Sequence, residues 1–322
     1  MVVRPARVAA SVLGKRVDHA MVEDLERVVE ARRRLDDALG GGSLLPATRE
    51  DLRLVVALLK NSSYTEEVGQ RLHAVAAEFA RLAGWLAYDS NQHALAQRYF
   101  MAALRAAHVS GDRAVGANIL GFMSYQSARI GDPRDALVLA ESAIAGAQTV
   151  TPAVMASLEA RRALGSAHTG KLSAFFQAQD RTFELLATSS RSEEPPWIYW
   201  FTESDAHGMA GQALLALNRP RDAADHLRQA VKLIDPAFVR DRALWLSQLA
   251  AARVLDGRLE QGCTTASEAA ALLRRLDSTR VTEQLADFRR AANPYANPYA
   301  SSAAVREFDA KYRDLIMRTT SA

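Results

Sequence analysis

The side chains that most often perform catalysis or bind metals are scattered in this sequence. The seven histidines include no pair at helical metal-ligand spacing, and the single cysteine, Cys263, cannot build a multi-cysteine zinc site. Asp205 and His207 stand close together without a third catalytic partner, and Ser124 and Ser127 have no neighbouring base in sequence. We therefore predict no metal site, no cofactor and no catalytic centre.

The glycine run at residues 40–42 is the other candidate for chemistry, because glycine-rich loops can cradle phosphates. A P-loop also needs a preceding strand and a following Lys and Ser or Thr, and neither is present here. We predict instead that the run ends one helix and begins a flexible connector. This connector includes residues 44–46, and the next helix is expected to start at Thr48.

The composition is that of a folded globular protein. The chain has 322 residues, of which 49% are hydrophobic and 24% are charged, a balance unlike that of disordered chains. No apolar run reaches the ~20 residues that cross a bilayer, and the first residues lack the apolar segment of a secretory leader. Together with the single cysteine, these features predict a cytoplasmic protein without a membrane partner.

Positive charge is concentrated at the amino terminus. Residues 1–19 contain four basic residues and one acidic residue, and their net charge of +3 equals that of the whole chain. The rest of the chain is therefore neutral, and any attraction for nucleic-acid phosphates is confined to this region. We interpret residues 1–16 as a basic tail that is either simply solvated or used for association with DNA.

A short motif, Gly131-Asp132-Pro133, predicts the hinge between two helices. Glycine at 131 suits a left-handed residue that ends one helix, Asp132 can cap the next, and Pro133 falls in its first turn. Equivalent hinges follow one another at spacings of 40, 39, 48 and 39 residues. A period of this size predicts a helical repeat array. The equivalents of Gly131 are Asn91, Gly170, Asn218 and Gly257.

The periodicity of apolar residues completes the array around these hinges. Small residues recur where the two helices of each hairpin must cross closely. The pattern predicts an all-α fold, a right-handed tetratricopeptide-like solenoid over residues 65–276, with flanking helices at 17–60 and capping helices at 279–318. A turn-rich connector is expected at 293–299. The five predicted hairpins are 65–89 with 92–108, 112–130 with 133–148, 152–169 with 172–188, 197–217 with 220–234, and 236–255 with 259–276.

The stretch Pro-Pro-Trp-Ile-Tyr-Trp-Phe at residues 195–201 lies where the spacing between hinges is nine residues longer than 39. The prolines predict an extended segment, after which a helix begins at Pro196 or Trp197. Two interpretations of its aromatic residues remain open. They fill a gap between repeats together with Trp245, or Trp200 projects into a groove as an anchor for a ligand or partner.

Six short motifs between residues 82 and 243 are typical of one known family. They are Leu82-Ala83-Gly84-Trp85 with Asp89, Ala96-Gln97-Arg98-Tyr99, Gly131-Asp132-Pro133, Pro196-Trp197-Ile198-Tyr199-Trp200, Asp235-Pro236, and Arg240-Asp241-Arg242-Ala243. These motifs resemble the carboxy-terminal tetratricopeptide-like regulatory region of actinobacterial transcriptional regulators, over about residues 17–318. In that family the region usually follows a helix-turn-helix domain of the Xre type. Only about 16 residues precede the first amphipathic helix here, so direct DNA binding is not carried over.

The resemblance implies an inner groove lined by the first helix of each hairpin. The first two repeats place polar and aromatic side chains there: the aromatic faces offer contact area, and Asn and Arg can hydrogen-bond a peptide backbone or a carboxylate. The alternative is that Trp85 and Tyr88 are ordinary core residues between repeats. With Trp200 included, the candidate groove residues are Glu78, Arg81, Trp85, Tyr88, Asp89, Asn118, Tyr125, Arg129 and Trp200.

The sequence thus favours a regulatory or sensory interaction module of the transcriptional-regulator type. Its partner is expected to be a protein or peptide, or a small-molecule effector, bound in the groove. Two alternatives stay open: a DNA-associated regulator that acts through the basic tail or a partner's DNA-binding domain, and a structural scaffold without a ligand. The apolar stripe of the helix at residues 17–39 also allows a homodimer.

Overall fold

The computed structural model describes residues 16–147, 149–274, 278–296 and 302–319. Within these parts the chain is helical and contains no β-strand. None of the described helices is both long and apolar enough to span a bilayer. The α-helices of the described residues are α1 (His19–Leu39), α2 (Gly41–Asn61), α3 (Glu66–Asp89), α4 (His93–Ser110), α5 (Arg113–Ile130), α6 (Pro133–Gly146), α7 (Pro152–His168), α8 (Leu172–Thr188), α9 (Glu203–Ala216), α10 (Pro220–Leu233), α11 (Val239–Leu255), α12 (Leu259–Leu273), α13 (Thr279–Ala296) and α14 (Ala303–Thr319).

Five helical hairpins form the body of the fold, and each consists of two consecutive helices. They are α3 with α4, α5 with α6, α7 with α8, α9 with α10, and α11 with α12. Small side chains let the paired helices cross closely, since Ala96, Ala136 and Ala223 are fully buried. Phe175 stands at the equivalent position of α8 and is also fully buried. The predicted fold class, an all-α tetratricopeptide-like solenoid, is confirmed.

Four of the five hinges share one backbone geometry. Asn91, Gly170, Asn218 and Gly257 adopt the left-handed conformation, with φ between 55° and 78°. The residue after each of these hinges donates its amide hydrogen to a carbonyl five residues earlier. This bond satisfies a carbonyl of the last helical turn and reverses the chain within three residues.

The remaining hinge, at Gly131, is different, and the prediction of a left-handed residue there is wrong. Its φ of −115° is an extended conformation that is open to other residues. The connection is one residue shorter than the others, because α5 continues to Ile130 and Asp132 already caps α6. The Asp132 carboxylate accepts a hydrogen bond from the Arg134 amide at 2.8 Å, so no additional left-handed residue is needed.

Helix α2 begins earlier than predicted. Residues 44–46 are not a connector, because Gly40 alone separates α1 from α2 and the helix starts at Gly41, with Pro46 inside it. Burial explains the difference, since the leucines at 44 and 45 belong to the hydrophobic core. Removing their side chains from water stabilises the helix despite the hydrogen bond that proline cannot make.

The aromatic stretch also differs from the prediction. Pro196–Ile198 form a short 3₁₀-helix, and α9 begins only at Glu203. A capping box fixes this start, with the Asp205 carboxylate accepting a hydrogen bond from the Thr202 amide at 3.1 Å. Residues 199–201 therefore lie in irregular backbone between the 3₁₀-helix and α9.

The carboxy-terminal helices cover the last hairpin. Helix α13 continues to Ala296, so residues 293–296 of the predicted connector are helical, whereas residues 297–299 lie outside the described residues. Helix α14 packs against α12. Its buried Phe308 contacts Phe288 of α13, with ring centroids 5.0 Å apart. This arrangement shields the end of the array from water, as terminal repeats of a solenoid must be shielded.

The two ends of the array meet across its concave side. Helix α1 packs against both α3 and α11, and an ion pair joins Asp36 to Arg240, 204 positions further along the chain. Helix α13 returns to α3, where Arg280 pairs with Asp89. The solenoid therefore closes around an internal space, which holds the candidate site.

Candidate functional site

The closed solenoid contains a cavity at its centre. Its unoccupied space is ≈ 680 Å³, open solvent at the mouth included, and ≈ 70 Å³ of this is accessible to the centres of water molecules. The first helices of all five hairpins line it, together with α1, α13 and residues 199–200. The lining residues are Arg33, Asp36, Asp37, Arg81, Leu82, Trp85, Phe122, Tyr125, Arg161, Tyr199, Trp200, Asp205, Met209, Arg240, Asp241, Leu244, Trp245 and Arg280.

Four of the nine candidate groove residues line this cavity, namely Arg81, Trp85, Tyr125 and Trp200. The ring centroid of Trp85 lies 5.3 Å from that of Phe122 and 6.4 Å from that of Tyr125. Phe122 is in turn 5.8 Å from Trp200. The aromatic side chains therefore form one continuous wall from α3 through α5 to the segment before α9.

Three further candidates lie directly behind this wall. Glu78 and Asp89 are buried ion-pair partners of lining arginines. Tyr88 is 1% exposed, and its ring centroid lies 5.5 Å from Trp85 and 5.8 Å from Tyr125. Tyr88 thus packs between two repeats, as the alternative interpretation held, whereas Trp85 faces the cavity.

The remaining two candidates, Asn118 and Arg129, do not line the cavity. Both lie on α5, seven residues before and four residues after Tyr125. At a rise of 1.5 Å per residue they sit about 10 Å and about 6 Å from Tyr125 along the helix axis. The cavity meets α5 only around Phe122 and Tyr125, so the groove positions further along this helix are outside it.

Three clusters of buried charge hold the cavity walls together. In the first, the Glu78 carboxylate accepts hydrogen bonds from Arg33 at 2.6 Å and from Arg81 at 3.0 Å. Burial alone would raise the pKa of the Glu78 carboxyl, but the two arginines outweigh it, so this pKa lies below its usual value. Glu78 is therefore ionised at neutral pH and anchors α1 to α3.

The second cluster joins α1, α3 and α11. The Asp36 carboxylate accepts hydrogen bonds from Arg240 at 2.6 Å and from the Trp85 indole nitrogen at 3.1 Å. Burial alone would lower the pKa of Arg240, but the carboxylates around it, Asp36 foremost, raise it well above its usual value. The charged guanidinium holds Asp36 in place, and Asp36 fixes the orientation of the Trp85 ring.

The third cluster joins α2, α3 and α13. Asp89 is fully buried and accepts hydrogen bonds from Arg280 Nε at 2.9 Å and from Ser278 Oγ at 3.0 Å. Its other oxygen accepts one from the Gly41 amide at 3.2 Å. The Arg280 guanidinium carbon also lies 5.0 Å from the centre of the Trp85 ring, a cation–π distance. This cluster therefore positions the same indole from the opposite end of the array.

Two lining aspartates, Asp37 and Asp205, have no arginine within ion-pair distance among the described residues. Asp37 accepts a hydrogen bond from the Tyr199 hydroxyl at 2.5 Å, and Asp205 caps α9. Burial raises the pKa of each carboxyl to about 7. Near neutral pH each is therefore a mixture of the acid and the carboxylate.

Arg161 of α7 is the one lining arginine with no carboxylate within 4.0 Å in the described part of the chain. It is 5% exposed; its Nη1 lies 3.3 Å from Met209 Sδ, and its guanidinium carbon is 4.2 Å from the centre of the Tyr125 ring. Burial lowers the pKa of this guanidinium to about 10, so it remains charged at neutral pH. Asp205 acts electrostatically on this guanidinium from beyond ion-pair distance. A buried cation with no carboxylate at ion-pair distance favours the binding of an anion.

Sequence reasoning missed Arg161, although a signal was present. In the register of the repeats, Leu82, Phe122 and Met209 occupy the equivalent position of α3, α5 and α9, and all three line the cavity. The equivalent residue of α11 is Gln248, so an arginine stands at a position that is apolar in three of the other four repeats.

Trp245 of α11 completes the aromatic wall. It packs against Gly208 of α9, where an added Cβ would lie 2.4 Å from the indole, so only glycine admits the ring there. Trp197 and Phe201 are buried in the core, whereas Trp200 and Trp245 line the cavity. The aromatic stretch therefore combines both interpretations, because it fills the gap between repeats and also supplies cavity wall.

A pair of histidines joins α9 to α10. His207 Nδ1 and His226 Nδ1 lie 2.9 Å apart, and Gln179 Nε2 is 3.3 Å from His226 Nε2. Within the described residues no group of three or more His, Cys, Asp or Glu side chains is placed to hold a metal ion. Burial, followed by the neighbouring His226, lowers the pKa of His207 to about 4. The pair is therefore neutral at pH 7.

Acid should destabilise the protein through this pair. The pKa of a histidine is about 6.5 in the unfolded chain, so between pH 6.5 and 4 the unfolded state binds more protons at His207 than the folded state does. The free energy of unfolding therefore falls as pH falls through this window, by about 1–2 kcal/mol from His207 once screening by solvent at this half-buried side chain is included. Urea unfolding at pH 7.5, 6.5, 5.5 and 4.5 should show a weaker dependence for His207→Gln. The control is His19→Gln, which removes an exposed histidine; an equal weakening there would contradict this assignment.

The fold and the cavity define a helical-repeat protein with an enclosed, aromatic and arginine-rich groove. Among solved structures, the chain is similar to aspartyl phosphate phosphatase F from Bacillus subtilis, with a TM-score of 0.45 and 14% identity over 80% of this chain. It spans 64% of the length of that protein. It is also similar to the tetratricopeptide domain of P58(IPK), with a TM-score of 0.26 and 12% identity over 94% of this chain and 85% of that one. No protein-family model and no curated protein sequence matches the chain.

Proposed function

We infer that this chain is a regulatory interaction module that holds a small molecule or a segment of a peptide or protein in its enclosed groove. One observation carries the proposal: the first helices of all five hairpins converge on a single cavity with an unpaired buried cation in its wall. A structural scaffold has no need of such a cation, because an unpaired buried charge costs stability.

A ligand in this cavity would act on the whole array. The cavity wall includes residues from both ends of the solenoid, and two of the charge clusters, Asp36 with Arg240 and Asp89 with Arg280, connect those ends. A ligand that binds one arrangement of these helices more tightly than another shifts the population toward it. Small changes of angle between neighbouring repeats then accumulate along the solenoid and alter the outer surface that a partner contacts.

A role in transcriptional regulation is part of this proposal and is supported by the motifs that resemble actinobacterial regulators. The module would then act on a partner that carries a DNA-binding domain. Association with DNA through the basic tail stays a prediction, because residues 1–15 lie outside the described residues. Location in the cytoplasm, the domain boundaries and a homodimer through α1 are retained as predictions as well.

Tryptophan fluorescence provides a direct test, because three of the four tryptophans, Trp85, Trp200 and Trp245, line the cavity. The full chain would be screened against amino acids, organic acids, nucleosides, sugars and short peptides for a change in tryptophan emission together with a rise in Tm. A ligand at 100 times its Kd should stabilise the fold by about 2.7 kcal/mol. Binding of a compound that passes both criteria should weaken at least tenfold in Tyr125→Ala.

The matched control is Phe176→Ala, which removes an aromatic ring that is 36% exposed and outside the cavity. This variant should keep the affinity of the full chain. Retained affinity in both Tyr125→Ala and Trp200→Ala would place the binding site elsewhere. A screen without any compound that changes both emission and Tm would contradict the proposed function and favour the scaffold.

A further inference from the structure

We propose that the ligand of this cavity is an organic monocarboxylate with an apolar or aromatic body, and that its carboxylate binds the Arg161 guanidinium. The inference rests on the proposed function and adds the chemical class of the ligand. It concerns the carboxylate group itself, whether a free small molecule or the end of a peptide supplies it. The argument uses the pairing of charges, the unpaired hydrogen-bond donors, the charge balance and the size of the cavity.

The pairing of charges singles out one position. Arg33 and Arg81 share Glu78, Arg240 pairs with Asp36, and Arg280 pairs with Asp89. Four of the five lining arginines thus have a carboxylate within ion-pair distance, and only Arg161 has none. Because a guanidinium presents parallel N–H groups that match the two oxygens of a carboxylate, it binds this group better than it binds a neutral acceptor.

The unpaired hydrogen-bond atoms indicate an acceptor as well. Among the cavity-lining side chains of the described chain, each buried polar atom without a hydrogen-bond partner is an N–H donor. The donors include the indole nitrogens of Trp200 and Trp245 and the Nε of Arg33. Leaving a buried donor unpaired costs ~1–3 kcal/mol, so a ligand rich in acceptor oxygens is favoured over one that donates. A carboxylate accepts hydrogen bonds and donates none.

The charges that line the cavity favour a ligand with one negative charge over a ligand with two. Five arginines and four aspartates line it, and Glu78 and Asp89 pair with lining arginines from behind the wall. Burial holds the pKa of Asp37 and Asp205 near 7, so about one of these two carboxyls is protonated at neutral pH. A bound monoanion is compensated by one further proton on these aspartates, whereas a phosphate dianion requires compensation for two charges.

Size and lining set the rest of the ligand. The ≈ 70 Å³ accessible to water centres compares with the ~10–15 Å³ that a single water needs, so only a small compound or the end of a chain fits. The ring centres of Phe122, Tyr125 and Trp200 lie 5.8, 4.2 and 5.7 Å from the Arg161 guanidinium carbon. These rings and Leu244 offer contact surface for an apolar or aromatic group attached to the carboxylate.

Four probes test the class of ligand on the full chain by isothermal titration and tryptophan emission. The first three are phenylacetate, its uncharged amide and phenyl phosphate. The fourth is the dipeptide Gly-Phe, used in two forms, one with a free and one with an amidated carboxyl end. Phenylacetate should bind at least tenfold more tightly than phenylacetamide, and more tightly than phenyl phosphate at pH 7.5. The free dipeptide tests a peptide as the source of the carboxylate, and a preference for the free over the amidated end supports the proposal equally.

Arg161→Gln should remove the preference for acid over amide, since it keeps hydrogen-bonding capacity and loses the charge. The matched control is the neighbouring Arg162→Gln, which is outside the cavity and pairs with Glu159 and should keep the preference. If Arg161→Gln does not fold, as judged by circular dichroism, the comparison of acid with amide in the unmodified chain still decides the question.

Three results would overturn this inference, and each is distinguishable from failure of the proposed function. Equal binding of acid and amide, or tighter binding of phenyl phosphate, would leave the groove as a binding site but remove the monocarboxylate assignment. Binding of other classes of compound in the broad screen, with none of the four probes bound, would do the same. Only a screen with no cavity ligand at all would remove both.

Discussion

Asp36→Ala is expected to lower the free energy of unfolding by about 3–5 kcal/mol. The substitution removes the buried carboxylate that pairs with Arg240 at 2.6 Å and accepts the Trp85 indole N–H at 3.1 Å. Arg240 is 3% exposed, so its charge would remain inside the fold without its closest counter-ion. Removing one partner of a buried ion pair destabilises a fold by this amount. Urea unfolding followed by tryptophan emission measures the loss, and the emission of Trp85 should shift as its hydrogen bond disappears.

A double-mutant cycle measures the interaction energy between Asp36 and Arg240 separately from the contribution of each residue alone. Arg240→Met replaces the guanidinium by an apolar side chain, and the double variant Asp36→Ala, Arg240→Met should recover much of the stability that Asp36→Ala loses. The control in the same helix is Asp24→Ala, which breaks an exposed ion pair with Arg27 and should cost less than about 1 kcal/mol. Similar losses for Asp24→Ala and Asp36→Ala would be incompatible with a special role of the buried cluster.

Asp89→Ala should destabilise the protein by a similar or larger amount, about 4–5 kcal/mol. Its carboxylate is fully buried and receives three donors from two segments, Ser278 and Arg280 at the start of α13 and the Gly41 amide of α2. Removing it leaves a buried guanidinium without its closest counter-ion, with Asp241 remaining at 4.0 Å, and leaves two further donors unpaired. The expected result is loss of cooperative folding at moderate urea, together with release of α13 that limited proteolysis would detect.

Asp89→Asn is the graded comparison, because it keeps an oxygen acceptor and removes the negative charge. Its loss should fall between those of the unmodified chain and Asp89→Ala. The surface control is Asp287→Ala in α13, whose ion pair with Arg290 is exposed, and it should leave α13 resistant to protease. If Asp89→Asn is as stable as the unmodified chain, the charge on Asp89 contributes nothing and the explanation offered here is wrong.

The repeat architecture was predictable because it depends on local and periodic features. Hinges that need a left-handed residue select Gly or Asn, and closely crossing helices select Ala, so both leave a regular trace in the sequence. The exceptions occur where tertiary contacts outweigh local preference. Burial of the leucines at 44 and 45 carries α2 through Pro46, and the capping box at Thr202 delays the start of α9.

The cavity was only half predictable. Its aromatic wall on α3 and α5 follows from the repeat register, which places Trp85 and Tyr125 on the inner face. The contributions of Arg33 and Asp36 from α1, and of Arg280 from α13, have no such source, because they depend on how the two ends of the solenoid meet. Pairing of residues separated by about 200 positions leaves no periodic signal in one sequence. Arg161 differs from these residues, because its position in the repeat register was a signal by which it could have been found.

The meeting of the two ends also changes how this chain is expected to acquire its structure. In an open solenoid each repeat contacts only its neighbours, so folding can begin anywhere and spread. Here Asp36 pairs with Arg240, and Asp89 with Arg280, only once α11 and α13 have packed against the first helices. Such distant pairings raise the contact order and slow the final step. During synthesis, Asp36 and Asp89 therefore have no arginine partner until residues 240 and 280 have left the ribosome, so we expect closure of the solenoid to come late in folding.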